Sequence, residues 1–175
     1  MWIKVSPPDE HGFCSFGPSV DVTRSAVKAA RYIIGQVNNR MPRTFGDGII
    51  HQSHFDCIVT DDANEELPLK EPSMVGDAED AIGRIIAENL VQDGATLQMG
   101  IGSIPDAVLS WLKCHQDMGV HSELFSDGII DLVNAGCITN SLKKIQPGKI
   151  VGSFCVGSRR LYDFLDNNPF VGPFA

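Results

Sequence analysis

Apolar residues recur along the chain at two periods, and segments of one period alternate with segments of the other. Short apolar runs predict strands at residues 2–5, 32–37, 57–59, 95–99, 123–126 and 150–155. Apolar positions three and four residues apart predict helices at residues 22–30, 78–90, 103–114, 129–133 and 161–165. Strands that alternate with helices are typical of a parallel sheet covered on both faces. We therefore predict an α/β fold with mostly parallel sheets.

Glycines mark several of the connections between these elements. Residues 12–17 begin and end with glycine and are predicted as a loop, because this composition suits a tight backbone path. Gly94 follows the predicted helix at 78–90 and is expected to end it as a left-handed cap. These glycines therefore place the boundaries of the neighbouring elements.

The sequence Gly100-Ile101-Gly102-Ser103 joins a predicted strand to a predicted helix. Ser103 and Asp106 have the spacing of a capping box, and Pro105 fits the first helical turn, where its missing N–H costs nothing. Backbone N–H groups at such a helix start can hold a phosphate, a carboxylate or a developing oxyanion. The turn is not a dinucleotide fingerprint, because Pro105 occupies the position of the third glycine. It is a candidate anion site.

Residues 61–74 are rich in acidic side chains and contain two prolines but few large apolar residues. Because this composition favours solvation over burial, we predict an acidic linker between a unit at 1–60 and a unit at 75–175. The first predicted strand starts at Trp2, with no element before it. We therefore expect the chain to begin inside a domain.

Composition excludes two classes of partner. The 175 residues carry a net charge of -8, which disfavours nucleic acid, and 43% of them are hydrophobic, which is enough for a normal core. Lys143, Lys144 and Lys149 form the one notable basic cluster and are expected on a solvated face. No apolar run approaches the roughly 20 residues that a membrane span needs. We expect a soluble protein that binds neither nucleic acid nor membrane.

The five cysteines are odd in number and scattered, unlike a secreted disulfide framework, so we expect a reducing compartment. Two His-x-x-Cys pairs, at 11–14 and 54–57, invite a zinc site, but neither lies in a ligand-dense context and no metal is predicted. Cys57 is instead expected as a small buried thiol. Asp127 and Asp131 could be paired as acid and base, although a strand-end cap and a first-turn residue explain them more simply.

Five ordered segments are similar to one family of enzymes. They are VSPPDEHGFCS at 5–15, QVNNRMPRT at 36–44, DGATLQMGIGSIPDA at 93–107, FSDG at 125–128 and LYDFLDNNP at 161–169. The chain resembles the 4-hydroxybutyrate CoA-transferase/acetyl-CoA hydrolase family of class I CoA transferases through these segments. The matches keep the same order from near the start to near residue 170.

The resemblance implies two related domains of the NagB/RpiA type. Residues 1–60 would be the latter part of the first domain, 61–74 the linker, and 75–175 the opening of the second. The implied reaction moves CoA between a short acyl-CoA and a carboxylic acid, or hydrolyses the acyl-CoA, through a glutamyl-CoA thioester. CoA enters as substrate, and no further cofactor is expected.

The resemblance also nominates site residues. Gly100, Ile101, Gly102 and Ser103 would lie at the reacting carbonyl, where N–H donors stabilise an oxyanion. Gly12, Ser15 and Gly17 would line the substrate cleft. The family's nucleophilic glutamate is expected beyond residue 175, and Glu123 belongs to a different segment. The chain alone is therefore expected to contain no catalytic residue and to be inactive.

Other expectations remain open at this stage. The chain would act as a homo-oligomer or associate with the missing half, in the cytoplasm or alternatively the mitochondrion. A second interpretation is a non-catalytic binding or assembly subunit that needs a partner. A third, by fold analogy alone, is a sugar-phosphate isomerase. The sequence distinguishes neither the acyl group nor a transferase from a hydrolase.

Overall fold

The computed structural model describes residues 1–60 and 65–174. The strands are β1 Trp2–Val5, β2 Phe13–Ser15, β3 Ile34–Val37, β4 Ile49–His51, β5 Cys57–Thr60, β6 Thr96–Leu97, β7 Gly119–Val120, β8 Leu124–Phe125, β9 Ile150–Gly152, β10 Phe154–Cys155 and β11 Val171–Phe174. The helices are α1 Thr23–Ala29, α2 Asp77–Leu90, α3 Ser103–Trp111, α4 Gly128–Asn134 and α5 Arg159–Leu165, with short 3-10 turns at Gln52–His54 and Leu112–Cys114. The predicted α/β class is confirmed.

Strands β1, β3 and β5 form a parallel sheet in the order β1-β3-β5. Side chains alternate between its faces, so Ile3 and Val5 are buried while Trp2 is 67% exposed. Register pairs Trp2 with Ile34 and Ile34 with Cys57, which places the exposed tryptophan and the Cys57 thiol on one face. The opposite face contributes to the core.

Strand β2 corrects the prediction of a loop at residues 12–17. It pairs with β4 in antiparallel register, with Cys14 opposite Ile50, and both side chains are buried. The partner strand lies more than thirty residues further along the chain, so its pairing leaves no local signal in the sequence. Only Gly12 and Gly17, both at positive φ, keep the turn character that the sequence indicated.

Six further strands form three separate parallel pairs, which we call together the second sheet: β6 with β7, β8 with β10, and β9 with β11. A parallel bridge between His121 and Val151 joins the segment after β7 to β9. Strands β6, β8 and β10 each lead into a helix, which is α3, α4 and α5 respectively. The carboxyl ends of these strands therefore face the starts of three helices.

Helices α2 and α3 cross at a close contact. A Cβ placed on Gly83 would lie 2.7 Å from the carbonyl carbon of Ala107, and Ala87 and Ala107 are both almost fully buried. Small residues at the crossing let the two backbones approach. No helix in the described part of the chain is long and apolar enough to cross a membrane.

Two local predictions about helix ends are wrong. The α3 N-cap is Gly102, no side chain caps the helix, and the Asp106 carboxylate bonds to residues outside α3, so Ser103 and Asp106 do not form a capping box. Helix α2 ends at Leu90, so Gly94 does not cap it; Gly94 has the predicted left-handed φ of +76° but lies in the following turn, where its N–H donates to the carbonyl of Gln116 at 2.8 Å. Asp106 and Gly94 thus both form hydrogen bonds with residues that are distant in the sequence, and neither forms the local cap that was predicted.

Two burial predictions are also reversed. Lys143 is only 5% exposed, and its ammonium donates to the carbonyls of Val120 at 2.7 Å and Lys149 at 2.5 Å, although a solvated face was expected. Burial lowers the pKa of this lysine. Cys57 was expected to be buried and is exposed, because β5 is the edge strand of its sheet.

Candidate active site

Three strand-to-helix junctions of the second sheet meet at one cleft. They are the β6–α3 turn, the β8–α4 junction and the β10–α5 junction, and a segment before α2 closes the fourth side. The lining residues are Lys70, Glu71, Pro72, Ile101, Gly102, Asp106, Ser126, Asp127, Val156 and Gly157. Ligands of open α/β sheets bind outside the carboxyl ends of the strands. The cleft therefore lies where this architecture places its ligands.

The β6–α3 turn presents unpaired backbone donors at this edge. Within residues 1–60 and 65–174, the N–H groups of Gly100, Ile101, Gly102, Ser103 and Ile104 donate no hydrogen bond. Gly102 has φ +126° and ψ -178°, a conformation that is essentially restricted to glycine. The turn thus combines a glycine-dependent backbone with free donors at a helix start, which is the chemistry of an anion or oxyanion site.

Two carboxylates that the sequence did not single out as site residues brace the cleft. Asp106 accepts a hydrogen bond from the Ser126 hydroxyl at 3.1 Å and one from the backbone N–H of Ser73 at 3.3 Å. Asp127 is 8% exposed and accepts from both the hydroxyl and the N–H of Ser158, the latter at 2.9 Å. Their partners lie 20 to 33 residues away in the chain, so no local pattern reveals them.

The structure describes residues 65–74 of the predicted acidic linker, and residues 61–64 lie outside the described part; we call residues 65–73 the strap. The strap is fastened to the β10–α5 junction. The N–H of Lys70 donates to the carbonyl of Gly157 at 2.9 Å, and the Tyr162 hydroxyl donates to the carbonyl of Pro68 at 2.6 Å.

An ion pair adds a third attachment to the strap, because Arg159 contacts Glu66 at 2.7 Å. The hydrogen bond from Arg159 lowers the pKa of the Glu66 carboxyl below its usual value. Leu67 of the strap is buried. The strap therefore forms a fixed wall of the cleft despite its acidic composition.

The three residues predicted to line the cleft from the first unit have different surroundings. Gly17 precedes Pro18, whose carbonyl accepts from the N–H of Cys155 at 2.7 Å, one residue before the cleft residue Val156. Gly12 lies at the other end of β2, where a Cβ would meet the side chains of His51 and Gln52. The structure places Gly17 beside β10 and Gly12 next to the His51 end of β4.

The Ser15 hydroxyl is fully buried and accepts hydrogen bonds from the N–H groups of Gly17 and Thr44, each at 3.0 Å. It also contacts the Thr44 carbonyl at 3.2 Å. These partners give Ser15 a structural role between two loops. A substrate contact for Gly12, Ser15 and Gly17 stays a prediction.

The side chains of the two His-x-x-Cys pairs do not share one environment. Burial raises the pKa of the Cys14 thiol, whereas Cys57 and the His11 side chain are exposed. Among the residues that the structure describes, no group of three or more histidine, cysteine, aspartate or glutamate side chains is placed to hold a metal ion.

Fold and site together define a class: an α/β protein with an N–H-rich turn at the carboxyl edge of a parallel sheet. Comparison with known proteins gives the family. Residues 1–67 match the model of the acetyl-CoA hydrolase/transferase N-terminal domain. The chain is 56% identical over 169 residues to the succinyl-CoA:acetate/propanoyl-CoA:succinate CoA transferase of Fasciola hepatica, covering 97% of this chain and 35% of that protein.

Two further proteins agree with this assignment. The 4-hydroxybutyrate coenzyme A transferase of Clostridium kluyveri is 50% identical over 173 residues, which are 99% of this chain and 40% of that protein. The crystal structure of 4-hydroxybutyrate CoA-transferase from Porphyromonas gingivalis matches with a TM-score of 0.91 and 42% identity, covering 97% of this chain and 43% of that one. These matches confirm the resemblance to the acetyl-CoA hydrolase/transferase family that the sequence indicated, and the chain spans about two fifths of the length of these relatives.

Proposed function

We propose that this chain is part of an enzyme that transfers CoA between a short acyl-CoA and a carboxylic acid, or hydrolyses the acyl-CoA, through a glutamyl-CoA thioester. The observation that carries the proposal is the set of free N–H groups at Gly100–Ser103, on the carboxyl edge of the sheet, in a member of this family. An acyl-transfer reaction develops negative charge on the carbonyl oxygen, and fixed N–H donors stabilise it.

In the proposed reaction, a glutamate carboxylate oxygen attacks the thioester carbonyl of the acyl-CoA. The C–S bond breaks, CoA leaves as thiolate, and a mixed anhydride remains on the glutamate. The thiolate then attacks the glutamyl carbonyl and expels the acyl group as its carboxylate, which leaves glutamyl-CoA. The acceptor acid runs the same two steps in reverse, or water releases CoA. Each tetrahedral intermediate carries one oxyanion for the turn to hold.

The names of the relatives suggest the size of the acyl group. They specify succinyl-CoA, propanoyl-CoA, acetate and 4-hydroxybutyrate for those proteins. We propose a short acyl-CoA and a short carboxylic acid as substrates of this protein, without choosing among them. The reaction as proposed uses CoA as substrate and no further cofactor.

We also propose that the nucleophilic glutamate lies outside residues 1–175 and that these residues alone do not catalyse. Glu123 does not line the cleft; its carbonyl accepts from the N–H groups of Ser153 and Phe154, and its side chain is exposed. Asp106 and Asp127 are engaged by serine partners on the cleft wall. None of these carboxylates is therefore proposed as the nucleophile.

Covalent trapping tests this proposal. A polypeptide of the relatives' length that includes this chain is incubated with propanoyl-CoA and its intact mass is measured, beside residues 1–175 treated identically. We expect a CoA adduct on the longer protein that free acetate removes, and none on residues 1–175. An adduct on residues 1–175 would place the nucleophile within this chain. Absence of any adduct or turnover on the longer protein would overturn the proposed function.

A second candidate is a non-catalytic binding or assembly subunit, and one surface favours it. Helix α2 exposes Ile85 at 57% and Leu90 at 75%, beside a groove lined by Leu97, Ile104 and Leu112. Exposed apolar surface of this kind is typical of an interface. Light scattering of residues 1–175 at low micromolar concentration tests it, because a stable monomer that binds no remaining segment of the longer protein would contradict an assembly role.

A further inference from the structure

We infer that Asp106 is a positioning residue that fixes the Gly100–Ser103 turn in its donor geometry. The inference rests on the proposed function and goes beyond it, since it assigns a positioning role to a side chain that the sequence indicated only as a capping residue. Asp106 lies in the first turn of α3 and lines the cleft. It is bonded through both its backbone and its carboxylate.

The backbone of Asp106 contacts the turn directly. Its N–H donates to the carbonyl of Gly102 at 3.0 Å and closes the first hydrogen-bonded turn of α3. Pro105 has no N–H, so Asp106 is the first residue after Gly102 whose N–H bonds back to the turn. A shift of Asp106 therefore moves Gly102 and the free N–H groups around it.

The carboxylate of Asp106 holds that backbone in place from two sides. One oxygen accepts from the Ser126 hydroxyl at the β8–α4 junction, at 3.1 Å. The other accepts from the N–H of Ser73 at the end of the strap, at 3.3 Å. The turn is thus tied to two elements that are separate from it in the sequence.

These bonds belong to a closed ring around the cleft. From Ser126 the chain passes to Asp127, which accepts from Ser158 at the β10–α5 junction. The carbonyl of Gly157, next to Ser158, accepts from the N–H of Lys70, which returns to the strap. Each wall of the cleft is therefore hydrogen-bonded to the next. Within this ring, Asp106 is the residue that connects the first turn of α3 to the other walls.

Asp106 acts through the position of the turn and not through its own charge. Oxyanion donors must lie about 2.7–3.1 Å from the oxygen that forms in the transition state. A displacement of about 1 Å far from the reacting atoms costs on the order of 100-fold in rate. Loss of the two carboxylate bonds releases the α3 start from the strap and from Ser126, so the donors lose their fixed place.

The test uses the longer, active polypeptide and compares three substitutions. Asp106→Ala removes both carboxylate bonds. Asp106→Asn keeps them, because the amide oxygen accepts from Ser73 while the amide N–H donates to the Ser126 hydroxyl. Asp80→Ala is the matched control: Asp80 accepts from the indole N–H of Trp111 at 2.9 Å, at the far end of the same helix.

We expect Asp106→Ala to lower kcat for CoA exchange roughly 10- to 100-fold, with a change in KM for acyl-CoA below about threefold. Asp106→Asn is expected to recover most of the lost rate, and Asp80→Ala to lower the melting temperature with kcat unchanged. If Asp106→Ala does not fold, Ser126→Ala and Ser126→Thr replace it, with the rate lost in the first and kept in the second.

Three outcomes would overturn the inference while the wild type is active. They are an unchanged kcat in Asp106→Ala, an Asp106→Asn variant as slow as Asp106→Ala, and an equal loss of kcat in Asp80→Ala. The second outcome would mean that Asp106 acts through its charge. A wild-type protein without any exchange would instead contradict the proposed function, so the two failures are distinguishable.

Discussion

The backbone of Gly102 is the residue-scale feature on which the candidate site depends. Its φ of +126° lies in a region that side chains with a Cβ rarely adopt, yet nothing lies within 4 Å of a Cβ built there. The requirement for glycine therefore comes from the local backbone conformation and not from contact with neighbouring residues. Substitution by alanine would relax the turn and so rotate the free N–H groups around Gly102.

We predict that Gly102→Ala lowers the free energy of unfolding by about 1 to 3 kcal/mol and the rate of CoA exchange by roughly 100-fold. Gly148→Ala is the control, since Gly148 also has a positive φ and open space around its Cβ. It should cost stability without affecting exchange. Urea unfolding and steady-state kinetics on the longer protein separate the two effects. Equal exchange rates in both variants would contradict a role for the turn.

Ser15 provides a second test at this scale. Its hydroxyl pairs two buried N–H groups, so we predict that Ser15→Ala costs about 1 to 3 kcal/mol for each donor left unpaired, with KM unchanged. Ser53→Ala, which removes an exposed hydroxyl, should be close to neutral. A raised KM at unchanged stability would instead support the substrate contact predicted from the sequence.

Only some of the site residues could be predicted from the sequence. The Gly100–Ser103 turn could be nominated as a candidate site because its glycines, its proline and the flanking strand and helix patterns are all local. The sequence indicated only capping roles for Asp106 and Asp127. Their hydrogen-bond partners, Ser126 and Ser158, lie at other strand-to-helix junctions and could not be inferred from the local sequence. Hydrogen bonds between distant segments leave no periodic signal in a single sequence.

At the scale of elements, helices were predicted more closely than strands. Helix α2 was expected from Ala78 with its end at Gly94 and spans Asp77–Leu90; its start is close because its apolar face repeats over several turns. The predicted strand at 95–99 is only Thr96–Leu97, and β2 was missed. A strand's extent depends on the partner it pairs with, which the pattern of one segment does not contain.

At the α2–α3 crossing, the sign of the stability change caused by Gly83→Ala shows whether the two helices are in close contact. Gly-to-Ala inside a helix normally adds up to about 1 kcal/mol of stability. At Gly83 a Cβ would lie 2.7 Å from the Ala107 carbonyl carbon and 2.9 Å from the Val108 nitrogen, both backbone atoms that cannot move alone. We predict that Gly83→Ala destabilises the protein by about 1 to 3 kcal/mol, measured by thermal or urea unfolding.

Position 81 serves as the control for this crossing, because Ala81 is exposed on the same helix. Ala81→Gly should lower stability by about 1 kcal/mol through helix propensity alone. A Gly83→Ala variant more stable than the wild type would mean that the two helices are not in close contact.

At the scale of the whole molecule, the chain contains the walls of one candidate cleft, and the curated CoA transferases that it matches are longer. It spans 35% and 40% of two of those relatives, and the segments that match are continuous across the strap. The resemblance identified the family because five ordered segments carry it. The ring of bonds that joins strap, α3, α4 and α5 became visible only in three dimensions.

We propose that this fold and its N–H-rich turn serve CoA transfer. The most direct measurement is the rate at which the longer polypeptide converts propanoyl-CoA and radiolabelled acetate into labelled acetyl-CoA, followed together with free CoA. We predict labelled acetyl-CoA, or free CoA if water is the acceptor, at a rate that falls sharply in Gly102→Ala. If neither product forms with any short acyl-CoA, the claim is contradicted.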